Sequence, residues 1–362
     1  MLRRVSTAVS PPPEEDPAAA LSGAYLDPRT GRFHNPPGSP TRAADPRQWR
    51  ALHLRRARGR KPPPVPDGHL LGRAETLARF EALAGQQTVT WLGHACFLLR
   101  LGGKTVLLDP CLAAVAGPGG RIGPKRFVEP ALSVDDLPAI DVVAVSHNHY
   151  DHLDAVTIAA LAARQPLAVV VPLRLGRFFR RRGFRQVHEI DWGQSVHLGG
   201  LSITALPAVH FSRRNPFDRN KTLWASFALA SRDRKVWFSG DTAYGPVFAA
   251  MGERFGPFDL GIVGIGAYEP RALMAGSHAN PEEAVRIGRD LGADTLLGMH
   301  WGTIVLTDEP PFEPPVRFRQ AGHAMGYPEE RLWIMRIGDS RAIPAGGHNQ
   351  AAAAPGSLRV ER

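Results

Sequence analysis

The stretch 147–154, His-Asn-His-Tyr-Asp-His-Leu-Asp, constrains this chain more than any other segment. It directly follows the apolar run 142–145, which is typical of a buried strand. Three imidazoles and a carboxylate within six positions would lack hydrogen-bond partners in an apolar core. Imidazole nitrogens and carboxylate oxygens are, however, good ligands for Zn²⁺. The stretch therefore predicts a metal site at the carboxyl end of a strand.

The composition excludes several other classes of protein. With 362 residues, of which 43% are hydrophobic, the chain can bury a large core. Its two cysteines, Cys96 and Cys111, are too few for a disulfide framework and are expected in that core. The net charge of +10 and the pI of 10.3 suit anionic partners. No signal-peptide pattern and no apolar stretch of about 18 residues occur, so we expect a cytoplasmic protein, free or peripheral on the inner membrane.

The chain divides by composition into three parts. Residues 1–85 are rich in Pro and Arg, which predicts an N-terminal extension that is disordered over about its first 20 residues and otherwise wraps the domain. The main folded domain is expected over 86–342, followed by a flexible tail at 343–362. Within the extension, the pattern predicts short helices near 49–58 and 71–83.

Apolar runs typical of strands recur through the central region. They are expected at 88–92, 96–101, 105–108, 168–171, 187–190, 202–206, 224–229 and 236–239. His94 and Asp109 lie at the ends of two of these runs, where polar residues indicate a nearby site. For Asp109 two roles stay open, support of a ligand side chain or capping of a loop. A helix is predicted over 153–163, with Asp154 near its start.

Three more polar residues, His210, Asp241 and His300, each directly follow an apolar run. A single histidine in such a place is usually structural, but three polar residues at equivalent strand ends indicate a common edge. Together with the histidine-rich stretch they are enough ligands for two metal ions and too many for one tetrahedral zinc. The expected ligands are His147, His149, Asp151, His152, His210, Asp241 and His300.

His278 precedes a helix start signal. Asn280 suits a helix N-cap, Pro281 the first helical position and Glu283 the third, so a helix is expected to begin there. His278 would then lie on the loop before the helix, beside an end that attracts anions. Its role is either to support the cap or to contact the leaving group or a phosphate oxygen.

A basic helix is expected over 174–182. Arginines flank Phe178 and Phe179 in this helix, and Phe184 follows it. Either the arginines bind phosphate, or the helix simply packs its phenylalanines inward. The basic run 55–61 is either a solvated linker or a contact with anionic lipid. For a lipid substrate, insertion of Phe178, Phe179 or the N-terminal segment at an anionic membrane is the expected docking mode.

The order His-x-His-x-Asp-His, followed at long intervals by His, Asp and His, resembles the metallo-β-lactamase superfamily. Within it, the chain is similar to the N-acylphosphatidylethanolamine-hydrolysing phospholipases D over roughly 88–341. The segments that carry this resemblance are 91–95, 123–127, 146–154, 240–242, 254–260, 265–271, 278–287 and 300–303. The segment 265–271, Ile-Gly-Ala-Tyr-Glu-Pro-Arg, is the most particular of them.

The resemblance implies an α/β fold, an αββα sandwich of two mixed sheets flanked by helices, with two Zn²⁺ ions at one edge and Mn²⁺ or Fe as alternatives. One ion would be held by His147, His149 and His210, the other by Asp151, His152 and His300, with Asp241 between them. A hydroxide shared by the ions would attack the phosphorus, assisted by Asp151, Asp241 and His278 as catalytic residues. The products would be phosphatidic acid and an N-acylethanolamine.

Other functions fit the same sequence features. A lactonase or another hydrolase of soluble esters would use the same scaffold, and a nuclease would explain the basic charge. No separate RNA-clamping module is recognisable, so a nucleic-acid partner is not expected. A metal-binding lipid carrier without turnover is the non-enzymatic alternative. The oligomeric state, including a homodimer, stays open.

Overall fold

The computed structural model describes residues 17–41, 46–57 and 63–346, nearly half of which lie in strands and helices. The strands are β1 (Tyr25–Asp27), β2 (Arg32–His34), β3 (Thr88–Gly93), β4 (Cys96–Leu101), β5 (Lys104–Leu108), β6 (Val142–Ala144), β7 (Ala168–Pro172), β8 (Gln186–Ile190), β9 (Ser195–Leu198), β10 (Leu201–Leu206), β11 (Ser226–Ala230), β12 (Lys235–Phe238), β13 (Leu260–Gly264), β14 (Leu296–Met299), β15 (Leu332–Trp333) and β16 (Ser340–Ala342). The helices are α1 (Pro46–Ala57), α2 (Arg73–Ala82), α3 (Ala155–Arg164), α4 (Gly176–Arg180), α5 (Val247–Phe255), α6 (Arg271–Met274), α7 (Pro281–Asp290) and α8 (Pro314–Ala324).

Two seven-stranded sheets have related topologies. The first has the order β16-β3-β4-β5-β6-β7-β8 and the second β15-β14-β13-β12-β11-β10-β9. In each sheet, four neighbouring strands pair antiparallel and the remaining three pair in parallel. The parallel part begins at β5 in the first sheet and at β12 in the second. The carboxyl ends of parallel strands share an edge, so polar residues that follow these strands meet there.

Buried aromatic and aliphatic side chains hold the two sheets together. Phe97 of β4 and Phe238 of β12 are fully buried, and their rings lie 6.3 Å apart across the interface. Each such phenylalanine contributes about 1.5–3 kcal/mol through burial. Helices cover the outer faces, with α7 against β13 and α8 against β15 on one side, and α4 against β7 and β8 on the other. The predicted αββα sandwich is thereby confirmed.

Most of the predicted elements are present, with small shifts at their ends. The helix start at Asn280 is confirmed, because its side chain accepts a hydrogen bond from the backbone N–H of Glu283 at 2.8 Å and the Glu283 side chain completes a capping box. Asp154 caps α3 in the same manner. One strand begins later than predicted. Trp224 and Ala225 donate to the carbonyl oxygens of Ala208 and Ser146 before the chain enters β11.

The basic helix is shorter than predicted and faces the interior with its aromatic rings. Phe179 and Phe184 are buried, and Phe178 is half-buried beneath the guanidinium group of Arg182, which lies 3.6 Å from its ring centre. The inward-packing alternative is therefore confirmed for Phe179 and Phe184. The hypothesis that Phe179 inserts into a membrane is wrong, because its side chain is fully buried.

The described part of the N-terminal region packs on the sandwich. Leu21 and Phe33 belong to the main core, and Leu52 of α1 contacts Leu273 and Met274. The division at residues 85 and 86 stays a prediction, and the terminal segments 1–16 and 347–362 lie outside the described residues. Cys96 and Cys111 are both free and buried, as predicted. None of the described helices has the length and apolar character needed to cross a membrane.

Candidate metal centre

All seven expected ligands meet at one edge of the sandwich. The loop 147–154 runs from the end of β6 into α3, so its imidazoles and carboxylate lie at the carboxyl edge of the first sheet. His210, Asp241 and His300 follow β10, β12 and β14 of the second sheet. The site is thus assembled from both sheets.

Asp241 lies at the centre of the cluster. Its Oδ2 atom is 3.2 Å from Nε2 of His152, 3.6 Å from Nε2 of His210 and 3.7 Å from Nε2 of His147. Its Oδ1 atom is 3.2 Å from Nε2 of His300. One carboxylate therefore faces imidazoles from both expected ligand groups, which is the placement expected of a bridging ligand.

The donor atoms form two four-residue groups and a third, overlapping group of Asp109, His147 and His152, and in each group they lie within 4.8 Å of one another. One four-residue group is His147, His149, His210 and Asp241. The other is His94, Asp151, His152 and His300. The sequence indicated that His94 lies near a site but did not assign it to the cluster. Its Nε2 atom is 3.0 Å from Oδ2 of Asp151, so it contacts the carboxylate of an expected ligand.

Outer hydrogen bonds orient three of the imidazoles. Oδ2 of Asp109 is 2.6 Å from Nδ1 of His152 and also accepts from the Ser146 hydroxyl, which in turn contacts Nδ1 of His147 at 2.9 Å. Nδ1 of His210 donates to the carbonyl oxygen of Ser277 at 2.7 Å. Such partners fix which ring nitrogen faces the site. Asp109 therefore has both of the roles considered, because it supports His152 and its Oδ1 also accepts from the backbone N–H of Ser146 at 2.7 Å.

The arrangement of nitrogen atoms fits a bound cation. Nε2 of His152, Nε2 of His300 and Nδ1 of His94 are buried and make no hydrogen bond with the described residues. Nε2 of His147 and Nε2 of His210 lie 2.8 and 3.1 Å from Nδ1 of His149. Buried imidazole nitrogens gathered this closely are ligand atoms that a metal ion would accept.

The protonation states also suit metal binding. Burial raises the pKa of Asp241, but the nearby imidazoles of His152 and His300 more than offset this and hold the pKa well below its usual range. Burial lowers the pKa values of His147 and His149 well below the ordinary value of 6.5. Metal ligands need ionised carboxylates and neutral imidazoles, and the surroundings favour these states at Asp241, His147 and His149. His152 differs, because burial lowers its pKa but the carboxylates of Asp241 and Asp151 more than offset this and raise the pKa well above 6.5.

The backbone is strained at three positions of the site. His94, Asp109 and His300 have φ angles of 56°, 40° and 67°, a region that residues other than glycine seldom occupy. Gly240, directly before Asp241, also has a positive φ, and a Cβ atom there would lie 2.6 Å from Cβ of Ser146. Strain of this kind persists where the surrounding structure enforces it, as at functional sites.

His149, Asp151 and His278 are the partly exposed members of the cluster. The side chains of Asp151 and His278 are each 15% exposed, against 0–3% for His147, His152, His210, Asp241 and His300. Nδ1 of His278 lies 4.0 Å from Oδ2 of Asp241. The main-chain oxygen of His278 accepts from Arg271 at 2.6 Å, which holds the loop before α7. A substrate would therefore meet His149, Asp151 and His278 first.

An αββα sandwich with a buried cluster of histidines and aspartates at one edge defines a class of metal-dependent hydrolases. The chain belongs to the metallo-β-lactamase superfamily, because a family model described as a beta-lactamase superfamily domain matches residues 104–301.

Two relatives have similar sequences. An uncharacterized protein of Mycobacterium tuberculosis is 40% identical over 254 residues, which cover 69% of this chain and 64% of the relative. N-acyl-phosphatidylethanolamine-hydrolyzing phospholipase D 1 of Caenorhabditis elegans is 39% identical over 243 residues, which cover 64% of this chain and 68% of that enzyme. The chain thus spans somewhat under two thirds of the length of the mycobacterial relative.

Solved structures have the same fold. A metallo hydrolase of the archaeon Ignicoccus hospitalis superposes with a TM-score of 0.55 at 18% sequence identity, covering 72% of this chain and 100% of that protein. At this identity the likeness concerns the fold alone.

Proposed function

We propose that the chain is a metal-dependent phosphodiesterase of phospholipase D type, which hydrolyses N-acylphosphatidylethanolamine to phosphatidic acid and an N-acylethanolamine. The observation that carries the proposal is the 39% identity with the nematode phospholipase D over 243 residues, in a chain that gathers a histidine and aspartate cluster at one edge of the sandwich. The +10 net charge also suits a phosphorylated substrate.

The residues would hold two metal ions, with Zn²⁺ as the first expectation and Mn²⁺ or Fe as alternatives. His147, His149 and His210 would bind one ion, Asp151, His152 and His300 the other, and Asp241 both. The chemistry that such ions supply when bound is a lowered pKa of water and neutralisation of the charge that develops on phosphoryl oxygens.

The side chains at the opening have separate tasks in this reaction. Asp151, held by His94, would accept a hydrogen bond from the attacking water and direct it at phosphorus. As the bond between phosphorus and the ethanolamide oxygen breaks, His278 would donate a hydrogen bond or a proton to the leaving oxygen. The anchored main chain of His278 would keep its ring in place while the substrate enters.

Hydrolysis of N-acylphosphatidylethanolamine in mixed micelles tests the proposal. The metal-replete protein should release N-acylethanolamine, a chelator should stop the release, and Asp241→Asn should abolish it. Asp141→Asn is a matched control, because this carboxylate lies before β6 and receives a backbone hydrogen bond from Thr105 far from the cluster. It should leave the rate unchanged.

A second substrate separates the chemistry from lipid recognition. A soluble chromogenic phosphodiester should also be cleaved, with the same sensitivity to chelator. Cleavage of the soluble diester but not of the lipid would support phosphodiesterase activity and would exclude N-acylphosphatidylethanolamine as the substrate. Hydrolysis of lactones or carboxylic esters instead of both diesters would overturn the proposal.

A further inference from the structure

Large apolar side chains are exposed on two loops beside the candidate metal centre. Phe217 is 79% exposed and Ile122 is 76% exposed, the highest values among the large hydrophobic residues of the described chain. Val156, in the first turn of α3, is 47% exposed. Exposure of this much phenylalanine and isoleucine surface is unfavourable in water, so these positions indicate a surface that becomes covered.

The Ile122 loop is a braced projection. Its two arms pair through the bridge between Val115 and Lys125, and the backbone N–H of Ala116 donates to the carbonyl oxygen of Pro124 at 2.9 Å. The tip, residues 117–123, reaches over the start of α3, where a Cβ atom added to Gly120 would lie 3.0 Å from Cγ2 of Val156. Ile122 is therefore held outward at the side of the loop 147–154.

The Phe217 loop is braced in the same way. Residues 211–223 follow His210, and Oδ1 of Asp218 accepts from the backbone N–H groups of Arg214 and Asn215 at 3.0 and 2.9 Å. The backbone N–H of Phe217 donates to the side chain of Asn215 at 2.8 Å. The Arg214 guanidinium joins this loop to the carbonyl oxygen of Leu153 at 2.7 Å, so Phe217 also projects beside the loop 147–154.

Positive charge surrounds both tips. Segment 111–128 contains three basic residues and no acidic one, and segment 211–223 contains four basic residues and one acidic residue, Asp218. Arg121, Lys125, Arg213 and Lys221 are exposed. Apolar tips ringed by exposed cations match the acyl and phosphate layers of an anionic bilayer, whereas a nucleic acid would offer nothing to the apolar tips.

We propose that the two loops form a bilayer-docking surface for membranes that contain anionic phospholipid. Phe217 and Ile122 enter the acyl boundary while the four exposed cations contact lipid phosphates, and the openings at Asp151 and His278 face the same layer. The inference deepens the proposed function and rests on it, since a substrate with three long acyl chains stays in the bilayer. It replaces the docking mode that the sequence suggested for Phe179.

Sedimentation of the full-length, metal-replete protein with sucrose-loaded vesicles tests the surface without any turnover. Vesicles of phosphatidylcholine with about a third phosphatidylglycerol should bind the protein at low salt, and pure phosphatidylcholine vesicles should bind it much less. Phe217→Ser should weaken partitioning at least about tenfold, whereas Phe217→Leu should retain most of it.

Charge variants separate a docking face from general attraction. Arg213→Glu and Lys221→Glu should each weaken binding about fivefold or more. Arg232→Glu is the control, because Arg232 is exposed in the turn between β11 and β12 at the opposite edge of the sandwich. Equal losses for Arg213→Glu and Arg232→Glu, wild-type binding by Phe217→Ser, or binding to duplex DNA but not to vesicles would each overturn the inference.

The variant Asp241→Asn distinguishes this inference from the proposed function. It should bind vesicles as the wild type does, although it should not hydrolyse lipid. Vesicle binding by a wild-type protein that lacks lipid hydrolysis would reject only the proposed function. If the protein hydrolyses the lipid in micelles but Phe217→Ser binds vesicles as the wild type does, only the docking surface is rejected.

Discussion

Asp109 shows how a residue that touches no substrate can govern the candidate site. Its carboxylate orients His152 and, through Ser146, His147. We predict that Asp109→Asn weakens metal binding about 10–100-fold, because an amide in this place no longer accepts from both groups and His152 loses its preferred tautomer. Titration with a competing chelator, read by metal analysis, measures the change.

The control for this variant is again Asp141→Asn, which should keep the metal affinity of the wild type. Asp109→Asn must also be compared with the wild type by circular dichroism, so that loss of folding is recognised. Wild-type metal affinity in a folded Asp109→Asn protein would contradict the supporting role of Asp109.

His69 makes the stability of the fold depend on pH. It is buried among Trp91, Trp301 and Phe312 and contacts the carbonyl oxygen of Gly302 at 2.9 Å. Burial lowers its pKa below the ordinary value of 6.5, and the bond to Gly302 offsets this only in part. Below about pH 6.5 the unfolded chain therefore binds the proton more readily, and stability falls until the pH reaches the lowered pKa of the folded state.

We predict that His69→Gln reduces this loss, since glutamine can keep the hydrogen bond to Gly302 but does not titrate. Urea unfolding at pH 7.5 and 5.5 should give a smaller drop in the free energy of unfolding for the variant, by up to about 1.4 kcal/mol per pH unit. The other buried imidazoles are common to both proteins and cancel in the comparison. An equal drop in both proteins would exclude His69 as a source of acid sensitivity.

At the scale of single residues, the sequence predicted the site residues that lie close to the end of a strand. It did not predict contacts between residues that are far apart in the chain. His147, Asp241 and His300 were found because each directly follows an apolar run. The contacts of Arg214 with Asn148 and of His210 with Ser277 join residues 66 and 67 positions apart, and no local pattern reports them. The place of His94 in the cluster depends on a left-handed backbone that its sequence does not announce.

At the scale of the structural elements, hydrogen bonds from the loop 211–223 hold the loop 147–154 in place. The guanidinium group of Arg214 donates to the carbonyl oxygens of Asn148 and Leu153 at 2.9 and 2.7 Å and lies 4.0 Å above the ring of Tyr150. We predict that Arg214→Met lowers the free energy of unfolding by about 2–4 kcal/mol, because two part-buried carbonyl groups lose their donor while the volume of the side chain is kept.

Urea unfolding of the two proteins measures this difference. Arg213→Met is the matched control, since its side chain is exposed and its loss should change the free energy of unfolding by less than about 0.5 kcal/mol. Equal stability of Arg214→Met and the wild type would mean that the two loops are held by other contacts.

Elements with strong local signals were predictable, and those that depend on neighbours were not. The buried run of β7 and the capping box of α7 announce a strand and a helix start. β13 contains Gly261 and Gly264, which are poor strand residues, and is formed because it pairs in parallel with β12 and β14. β9 is largely exposed and depends in the same way on β10.

At the scale of the whole molecule, the candidate metal centre joins two sheets that otherwise meet through apolar packing. One group of expected ligands follows β6 in the first sheet, and the others follow β10, β12 and β14 in the second. The donor group of His147, His149, His210 and Asp241 draws on both sheets, as does the group of Asp151, His152 and His300. Metal binding would therefore be part of the stability of the sandwich as well as of its chemistry.

We predict that removal of the metal lowers the thermal midpoint and that added Zn²⁺ restores it. An ion present at about 100 times its dissociation constant stabilises the folded state by about 2.7 kcal/mol, which for a domain of this size corresponds to roughly 4–5 °C per ion. Differential scanning calorimetry with and without chelator measures the shift. Asp241→Asn should reduce it, because this carboxylate faces imidazoles from both sheets, and Asp141→Asn should not. An unchanged midpoint after complete metal removal would mean that any bound ions contribute nothing to holding the two sheets together.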